Sequence, residues 1–252
     1  MQRELYGAAI ARYRAGENAS GTSPRSSHLG LLAYLKTVCS DRPGPISPNL
    51  QSLSDLLRHS PKMAWTLAQL ETIQKRNEKV IIFCEFKELQ RTILRAIAQR
   101  FGLTADIING NTTAASDRSD NRQKRIKAFQ AAEGFGVIIL SPLAVGFGVN
   151  IQGANHVIHF TRTWNRARED QATDRAYRIG QTKDVCVYYP AIVAKDFPTF
   201  DGKFDQLLDI KRKLSEDMLN GSGDVGNADF ADLQDLRRQV VFDDVPAPMG
   251  SH

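Results

Sequence analysis

The sequence predicts an α/β fold in which a parallel sheet carries helices on both faces. Short continuous apolar runs, typical of strands that are buried on both sides, recur along the chain. Segments with the apolar spacing of amphipathic helices separate these runs. Strands that alternate with helices need right-handed crossovers, and these crossovers produce a parallel sheet between two helical layers.

The predicted strands occupy residues 79–84, 105–108, 137–140, 154–160 and 185–189. Between them, apolar residues at helical spacing predict helices after Ser60-Pro61-Lys62, around Leu89 to Ile97, and around Ile126 to Phe129. Proline in the first turn of a helix is favourable because its missing N–H needs no partner there. This pattern defines a main domain over residues 60–219.

The regions on either side of the main domain have different compositions. Residues 1–59 are expected to form a helical lead-in that contains a mobile loop, because a Ser-, Gly- and Pro-rich stretch interrupts two leucine-rich segments. Residues 220–252 are rich in Gly, Asp and Pro, and we expect a largely irregular tail there.

Composition excludes several classes of protein and leaves others open. The chain has 252 residues, 42% of them hydrophobic and 24% charged, which is ordinary for a globular protein. A net charge of +5 is compatible with nucleic-acid binding without being diagnostic of it. Three widely separated cysteines fit neither a zinc site nor a disulfide framework, so we expect a reducing compartment. No apolar run reaches the roughly 18 residues of a membrane span, and we expect a protein that is neither membrane-bound nor secreted.

The segment that points to a function is Gln171-Ala172-Thr173-Asp174-Arg175-Ala176-Tyr177-Arg178-Ile179-Gly180-Gln181. If it is helical, Gln171, Arg175 and Arg178 project from one face, and Gly180 ends the helix. Two neighbouring guanidiniums repel each other unless an anion lies between them, and a triphosphate is such an anion. The alternative is a solvated helix face, which is the usual place for arginine.

An upstream segment separates these two interpretations. Residues 137–151 read Val-Ile-Ile-Leu-Ser-Pro-Leu-Ala-Val-Gly-Phe-Gly-Val-Asn-Ile, a buried strand followed by a loop with two glycines. Together with the arginine segment, it resembles motifs V and VI of superfamily-two helicases, specifically the Swi/Snf-type DNA translocases. Residues 80–86, Val-Ile-Ile-Phe-Cys-Glu-Phe, are similar to motif IV of the same family.

The resemblance implies the second, C-terminal RecA-like lobe of a two-lobe motor. Arg175 and Arg178 would then be arginine fingers, Gln171 would orient the same catalytic network, and Gly148 would lie on the nucleotide side. ATP and Mg²⁺ would be held mainly by the first lobe, because this sequence contains no G-x-x-x-x-G-K-[ST] phosphate cradle. We therefore expect the chain to be inactive as an ATPase without that lobe.

The nucleic-acid side is implied in the same way. Ser141 and Gly146 of motif V would contact the nucleic acid, since glycine allows close approach of the backbone to a phosphate. In motif IV, Glu85 would repel a phosphate, and we expect Lys87 to supply the contact instead. Arg118 and Arg122, with Arg125, fall near one face of a predicted helix. They represent either a row of phosphate contacts or a solvated face.

The expected partners are double-stranded DNA and the first RecA-like lobe of the same polypeptide, although the residues themselves do not distinguish a DNA track from an RNA track. The expected location is the nucleoid-associated cytoplasm of a bacterium or the nucleus of a eukaryote. The alternative is a non-catalytic nucleic-acid-binding or regulatory module that retains the fold. The sequence departs from the family pattern where Trp164-Asn165-Arg166 lacks a proline and where Tyr177 replaces a histidine.

Overall fold

The computed structural model describes residues 7, 35–40, 53–109, 118–142, 150–163, 165–177, 181–195, 199–206 and 208, with the backbone alone for residues 118–121 and 166. The expected N-terminal loop, residues 143–149 of motif V, Arg178 and the predicted tail lie outside this part of the chain. The described residues divide into two compact units, one within residues 47–190 and one from 1–46 and 191–252.

The larger unit alternates helices and strands in the predicted order. Its elements are α1 (Leu53–His59), α2 (Pro61–Lys75), β1 (Lys79–Phe83), α3 (Lys87–Phe101), β2 (Asp106–Ile108), α4 (Arg118–Ala131), β3 (Gly136–Leu140), β4 (His156–His159), α5 (Arg166–Thr173) and β5 (Cys186–Tyr188). Each strand lies within or beside a segment that the sequence predicts to be a strand. The last two strands are shorter than predicted.

The five strands form one parallel sheet in the order β2-β3-β1-β4-β5. Strand β1 is central, with Val80 paired to Val137 of β3 on one side and to His156 of β4 on the other. All five residues of β1 are buried. The predicted RecA-like fold class, a parallel sheet with helices on both faces, is confirmed.

Alternate residues of β1 point to two separate hydrophobic cores, as the period of a strand requires. Val80 and Ile82 pack with residues of α2 and α3, whereas Ile81 and Phe83 pack with residues of α4 and α5. Burying each such side chain stabilises the fold by about 1.5 to 3 kcal/mol. The apolar run of β1 therefore positions a helical layer on each side of the sheet.

Local sequence signals set the start of α2 and the end of α3. The hydroxyl of Ser60 accepts a hydrogen bond from the backbone N–H of Met63 (3.3 Å), and Pro61 occupies the first turn. At the end of α3, Gly102 adopts a left-handed conformation (φ 64°) and donates its N–H to the carbonyl of Ala98.

The smaller unit contains helical residues at 35–39 and 200–206. Thr199 caps the second of these segments, since its hydroxyl accepts from the N–H of Gly202 (3.3 Å) and donates to the carbonyl of Ile192 (2.5 Å). Phe200 and Phe204 stack one helical turn apart, with ring centroids separated by 5.2 Å. Within the described part of the chain, no helix has the length and apolar character that a membrane crossing needs.

A polar cluster joins three strands at the amino-terminal edge of the sheet. Glu78, just before β1, accepts hydrogen bonds from Nε2 of His156 (2.7 Å) and Nζ of Lys183 (2.9 Å). Nδ1 of His156 lies 3.2 Å from the hydroxyl of Tyr188. The hydrogen bond from His156, followed by the one from Lys183, lowers the pKa of Glu78 from 4.5 to about 2.

This cluster makes the stability of the chain sensitive to acid. Because the folded-state pKa of Glu78 lies below the unfolded value, its contribution is complete above pH 4.5 and is lost as the pH falls towards 2. In Glu78→Gln, the free energy of unfolding should fall less steeply over this window than in the wild type. Urea unfolding at a series of pH values measures the slope, with Glu133→Gln at an exposed turn as the matched control. Identical slopes in all three proteins would contradict the assignment.

Candidate functional site

The polar residues that follow the strands gather at the carboxyl-terminal edge of the sheet. Cys84 and Glu85 follow β1, Asn109 follows β2, Ser141 follows β3, and residues 160–163 follow β4. The strands are parallel, so these segments all leave the same edge, which is where open α/β sheets bind their ligands. This edge is the candidate functional site.

Gln90 holds the ends of β1 and β2 together. Its side chain is completely buried, donates from Nε2 to the carbonyl of Cys84 (2.7 Å), and accepts at Oε1 from Nδ2 of Asn109 (2.7 Å). The guanidinium of Arg122, on α4, donates to the carbonyl of Asn109 (3.4 Å). Arg122, which the sequence suggests for phosphate contact, therefore lies half-buried and supports the backbone after β2.

The segment after β1 is fixed by backbone and side-chain hydrogen bonds. The N–H of Glu85 donates to the hydroxyl of Thr161 (2.8 Å), which links the end of β1 to the end of β4. The thiol of Cys84 donates to the carbonyl of Phe86 (3.6 Å). Burial raises the pKa of the Cys84 thiol to about 12. Cys84 is therefore a packing residue rather than a nucleophile.

A buried ion pair ties the start of α5 to the end of β4. Nε of Arg162 lies 3.0 Å from both carboxylate oxygens of Glu169, and the N–H of Thr163 donates to the same carboxylate (2.6 Å). Glu169 is fully buried and Arg162 is 8% exposed. The guanidinium of Arg162 also lies over the ring of Tyr189, 4.3 Å from its centroid. Both charges are compensated, and α5 starts in a fixed direction.

The arginine segment continues from α5 but leaves the helix earlier than predicted. The helix ends at Thr173, and residues 174–176 form a turn in which the N–H of Asp174 still donates to the carbonyl of Asp170 (2.8 Å). The prediction that Gln171 and Arg175 share a helical face is therefore wrong. The Gln171 side chain is exposed, whereas the Arg175 side chain is buried and only 8% exposed.

Arg175 combines burial with an unsatisfied donor. Within the described residues, its Nε has no hydrogen-bond partner although it is shielded from solvent. A buried polar atom of a cation without a partner is costly and calls for an explanation, of which a functional role or a bound ion is one. An anionic group is the ligand that such a guanidinium would bind.

Motif VI is bonded to the segment that follows motif V. The N–H of Ile151 donates to the carbonyl of Arg175 (2.8 Å). The side-chain nitrogen of Gln181 lies 2.9 Å from the carbonyls of both Gln152 and Ala154, so it closes the far end of the arginine segment onto the same loop. The two motifs that the sequence identifies separately are therefore in contact.

The other predicted site residues are partly described by the structure and partly outside the described residues. Ser141 is buried, and its N–H donates to the carbonyl of Ile108 (2.9 Å), while Lys87 is exposed at the first position of α3. Arg118 begins α4 and is described by its backbone only. Gly146, Gly148 and Arg178 lie outside the described residues. In the part of the chain that is described, no group of three or more His, Cys, Asp or Glu residues is arranged to hold a metal ion.

Sequence reasoning missed five residues that the structure places around motif VI: His159, Arg162, Glu169, Thr173 and Gln181. For Arg162 and Glu169, the sequence contains a signal that could have identified them. Arg162 is a charged residue directly after a buried strand, and Glu169 follows it after seven positions, in the first turn of α5. A charge beside a buried strand usually requires a partner of opposite sign nearby.

Comparison with known proteins agrees with this geometry. Residues 62–180 match the helicase conserved C-terminal domain family. The Sulfolobus solfataricus SWI2/SNF2 ATPase C-terminal domain is 25% identical and superposes with a TM-score of 0.62, over 94% of this chain and 92% of that one. This chain contains a Swi/Snf-type helicase C-terminal domain. The matched residues contain strands β1 to β4, motifs IV and V, and motif VI as far as Gly180.

Parts of longer proteins are similar to this chain. The Zorya protein ZorD of Escherichia coli O139:H28 is 47% identical over 233 residues, and the putative ATP-dependent helicase/translocase YwqA of Bacillus subtilis is 30% identical over 217. These matches cover 91% and 86% of this chain but 21% and 22% of the relatives. The chain thus spans about a fifth of their length. A Sulfolobus solfataricus SWI2/SNF2 ATPase core in complex with double-stranded DNA is 29% identical, with a TM-score of 0.66, over 94% of this chain and 47% of that one.

The Arg162–Glu169 pair should be a major determinant of stability. Replacing Glu169 by Gln leaves the Arg162 charge buried without its counter-ion, and we expect a loss of about 3 to 5 kcal/mol in the free energy of unfolding. Urea unfolding of this chain measures the loss. Glu133→Gln removes one carboxylate from an exposed position and should change the free energy of unfolding by less than about 0.5 kcal/mol. Similar stabilities of the two variants would show that the buried pair has no special role.

Proposed function

We propose that this helicase C-terminal domain is the second motor lobe of an ATP-driven, double-stranded-DNA translocase. The first RecA-like lobe of the same polypeptide would hold ATP and Mg²⁺. The observation that carries the proposal is the buried guanidinium of Arg175, whose Nε has no partner among the described residues. It lies in a turn bonded to the end of motif V, the segment that would connect nucleotide to nucleic acid.

The chemistry of phosphoryl transfer explains why a buried, incompletely satisfied cation is useful here. Negative charge spreads over the oxygens of the transferring phosphoryl group, and a guanidinium at hydrogen-bonding distance stabilises it. A cation already shielded from water interacts more strongly with that charge than a solvated one. Arg175 and Arg178 are the proposed arginine fingers. Gln171, whose side chain is exposed, is proposed to orient groups that the first lobe supplies.

The residues that fit ATP and Mg²⁺ divide between the two lobes. Arg175 suits the anionic phosphates, and Gly148 is proposed to approach the nucleotide. The metal ion is proposed to be held mainly by the first lobe. The bound Mg²⁺ would neutralise charge on the phosphates. Without the first lobe, the chain is expected to leave ATP intact.

For the nucleic-acid side, we propose contacts from Lys87, Ser141 and Gly146, with Arg118 and Arg122 at the neighbouring helix. Lys87 is exposed next to the end of β1, and Ser141 lies at the end of β3, so both belong to the carboxyl-terminal edge of the sheet. The DNA-bound SWI2/SNF2 ATPase core supports double-stranded DNA as the track. Such contacts to phosphates are independent of sequence and weaken with salt.

Translocation would follow from opening and closing of the cleft between the two lobes as ATP binds and is hydrolysed, since ATP prefers the closed state. The proposed location of the motor is the nucleoid-associated cytoplasm of a bacterium or the nucleus of a eukaryote. In the alternative function, a passive nucleic-acid-binding module, Arg175 would have no task in hydrolysis. The proposed domains are a helical lead-in over residues 1–59, the RecA-like domain over 60–219 and a largely irregular tail over 220–252.

Arg175→Ala and Arg178→Ala test the proposed function in the full two-lobe polypeptide. Each should lower DNA-stimulated ATP turnover by on the order of 10³-fold or more, because the charge that develops on the phosphoryl group is no longer compensated. ATP binding itself should persist, since the first lobe holds the nucleotide. Steady-state ATPase assays with duplex DNA and equilibrium binding of a fluorescent ATP analogue measure the two effects.

Arg58→Ala is the matched control for this experiment. Arg58 lies on α1 with a 71% exposed side chain, so its loss removes the same charge from a solvated position outside motifs IV to VI. Its turnover should equal that of the wild type. Unchanged turnover in both Arg175→Ala and Arg178→Ala would favour the passive module.

Lys87→Ala tests the proposed DNA contact. The variant should weaken binding of the full polypeptide to duplexes of different sequence by similar factors, and should reduce the slope of log K against log salt concentration by about 1. Lys75→Ala is the control, because Lys75 is exposed at the end of α2, next to the start of β1 and the opposite edge of the sheet. Equal salt slopes for the two variants would remove Lys87 from the interface.

A further inference from the structure

A column of stacked side chains crosses the carboxyl-terminal edge of the sheet. The ring of His159, the last residue of β4, stacks on Phe83 of β1 (centroids 5.1 Å apart) and on Tyr189 after β5 (4.9 Å, interplanar angle 11°). Beyond Tyr189, the guanidinium of Arg162 lies 4.3 Å from the ring centroid. The column spans three neighbouring strands, and His159 at its centre is completely buried.

The column is bonded to both ends of helix α5. At the start of the helix, Arg162 binds the carboxylate of Glu169. At its end, Nε2 of His159 lies 2.9 Å from the hydroxyl of Thr173, the last helical residue. The turn that buries Arg175 begins with the next residue. The position of the His159 ring is therefore transmitted to the arginine through two peptide units.

The backbone of this turn is also held by the hydrogen bond from the N–H of Ile151 to the carbonyl of Arg175 (2.8 Å). Ala172 and Ala176 are buried in the core on either side of Thr173, but a methyl group packs without a preferred orientation. A hydrogen bond depends on distance and angle, so the one between His159 and Thr173 adds a side-chain constraint on how the chain leaves the helix. The stacking of His159 between two rings prevents the imidazole from following a displaced hydroxyl.

We propose that His159 and Thr173 are positioning residues that hold Arg175 in the orientation needed at the nucleotide. This inference rests on the proposed function, since it assigns a reason for the placement of the proposed arginine finger. Neither residue touches the nucleotide in this proposal. They act through the turn that carries Arg175. An error of about 1 Å in placing a catalytic group costs on the order of 10²-fold in rate.

The test uses two variants of the full two-lobe polypeptide that remove the bond and retain the packing. Thr173→Val replaces the hydroxyl by a methyl group of similar size. His159→Phe retains a flat ring between Phe83 and Tyr189 but lacks the ring nitrogen. Each should lower kcat for DNA-stimulated ATP hydrolysis by about 10- to 100-fold, with KM for ATP and DNA affinity unchanged. Thr173→Ser, which retains the hydroxyl, should keep most of the wild-type kcat.

The double variant separates positioning from general damage to the fold. If the two residues act through their shared hydrogen bond, His159→Phe with Thr173→Val should have the same kcat as the worse single variant. Multiplied losses, or a loss that follows the fall in melting temperature and appears equally in Thr173→Ser, would overturn the proposal.

Arg175→Ala in the same assay distinguishes a failure of the positioning role from a failure of the proposed arginine finger. If Arg175→Ala abolishes turnover while Thr173→Val and His159→Phe are fully active, the positioning role is wrong and the arginine finger stands. If Arg175→Ala leaves turnover unchanged, Arg175 is not an arginine finger and the positioning role falls with it; the proposed function itself fails only if Arg178→Ala is unchanged as well. A collapse of ATP turnover in Arg175→Ala, together with a loss of kcat alone in Thr173→Val and His159→Phe, supports both the arginine finger and the positioning role.

Discussion

The position of motif VI depends on the buried ion pair between Arg162 and Glu169. Burying two charges is costly, and such a pair is tolerated only when its geometry is good. Here both carboxylate oxygens lie 3.0 Å from Nε of Arg162, one of them also accepts from the N–H of Thr163, and an aromatic ring covers the guanidinium. The pair defines one geometry between the end of β4 and the start of α5. Alternative packings of this helix would leave a charge without its partner.

The parallel sheet provides the second level of constraint. Because β1 pairs with β3 and β4 in a fixed register, the segments after these three strands leave the sheet side by side. Thr161 connects the segments after β1 and β4, and Gln90 connects the segments after β1 and β2, by hydrogen bonds that are largely buried. The candidate site is thus assembled from short segments that are distant in sequence, and each is held by the regular structure just before it. This arrangement allows a rigid lobe to present a single functional edge.

Much of the fold could be predicted from the sequence, whereas the detail of the site could not. The apolar runs of β1 and β3 identify strands because burial on both faces leaves no polar position. The end of α5 was mispredicted because the spacing of Gln171 and Arg175 fits a helix, and nothing local in the sequence reveals the turn after Thr173. That turn depends on tertiary contacts: Ile151 donates to Arg175, and Ala176 packs in the core. Likewise, the partner of Arg122 is a backbone carbonyl, which a residue pattern does not encode.

The buried thiol at the end of the central strand has a consequence for the chemical durability of the lobe. With a pKa of about 12, Cys84 is almost entirely protonated at neutral pH, and thiols react with oxidants and alkylating agents as thiolates. Peroxide or maleimide reagents would therefore spare the centre of the sheet and modify more accessible sulfur first, such as that of the half-buried Cys186 on the edge strand. The Cys84 thiol at the sheet centre, in motif IV, is thus protected from oxidation by its burial.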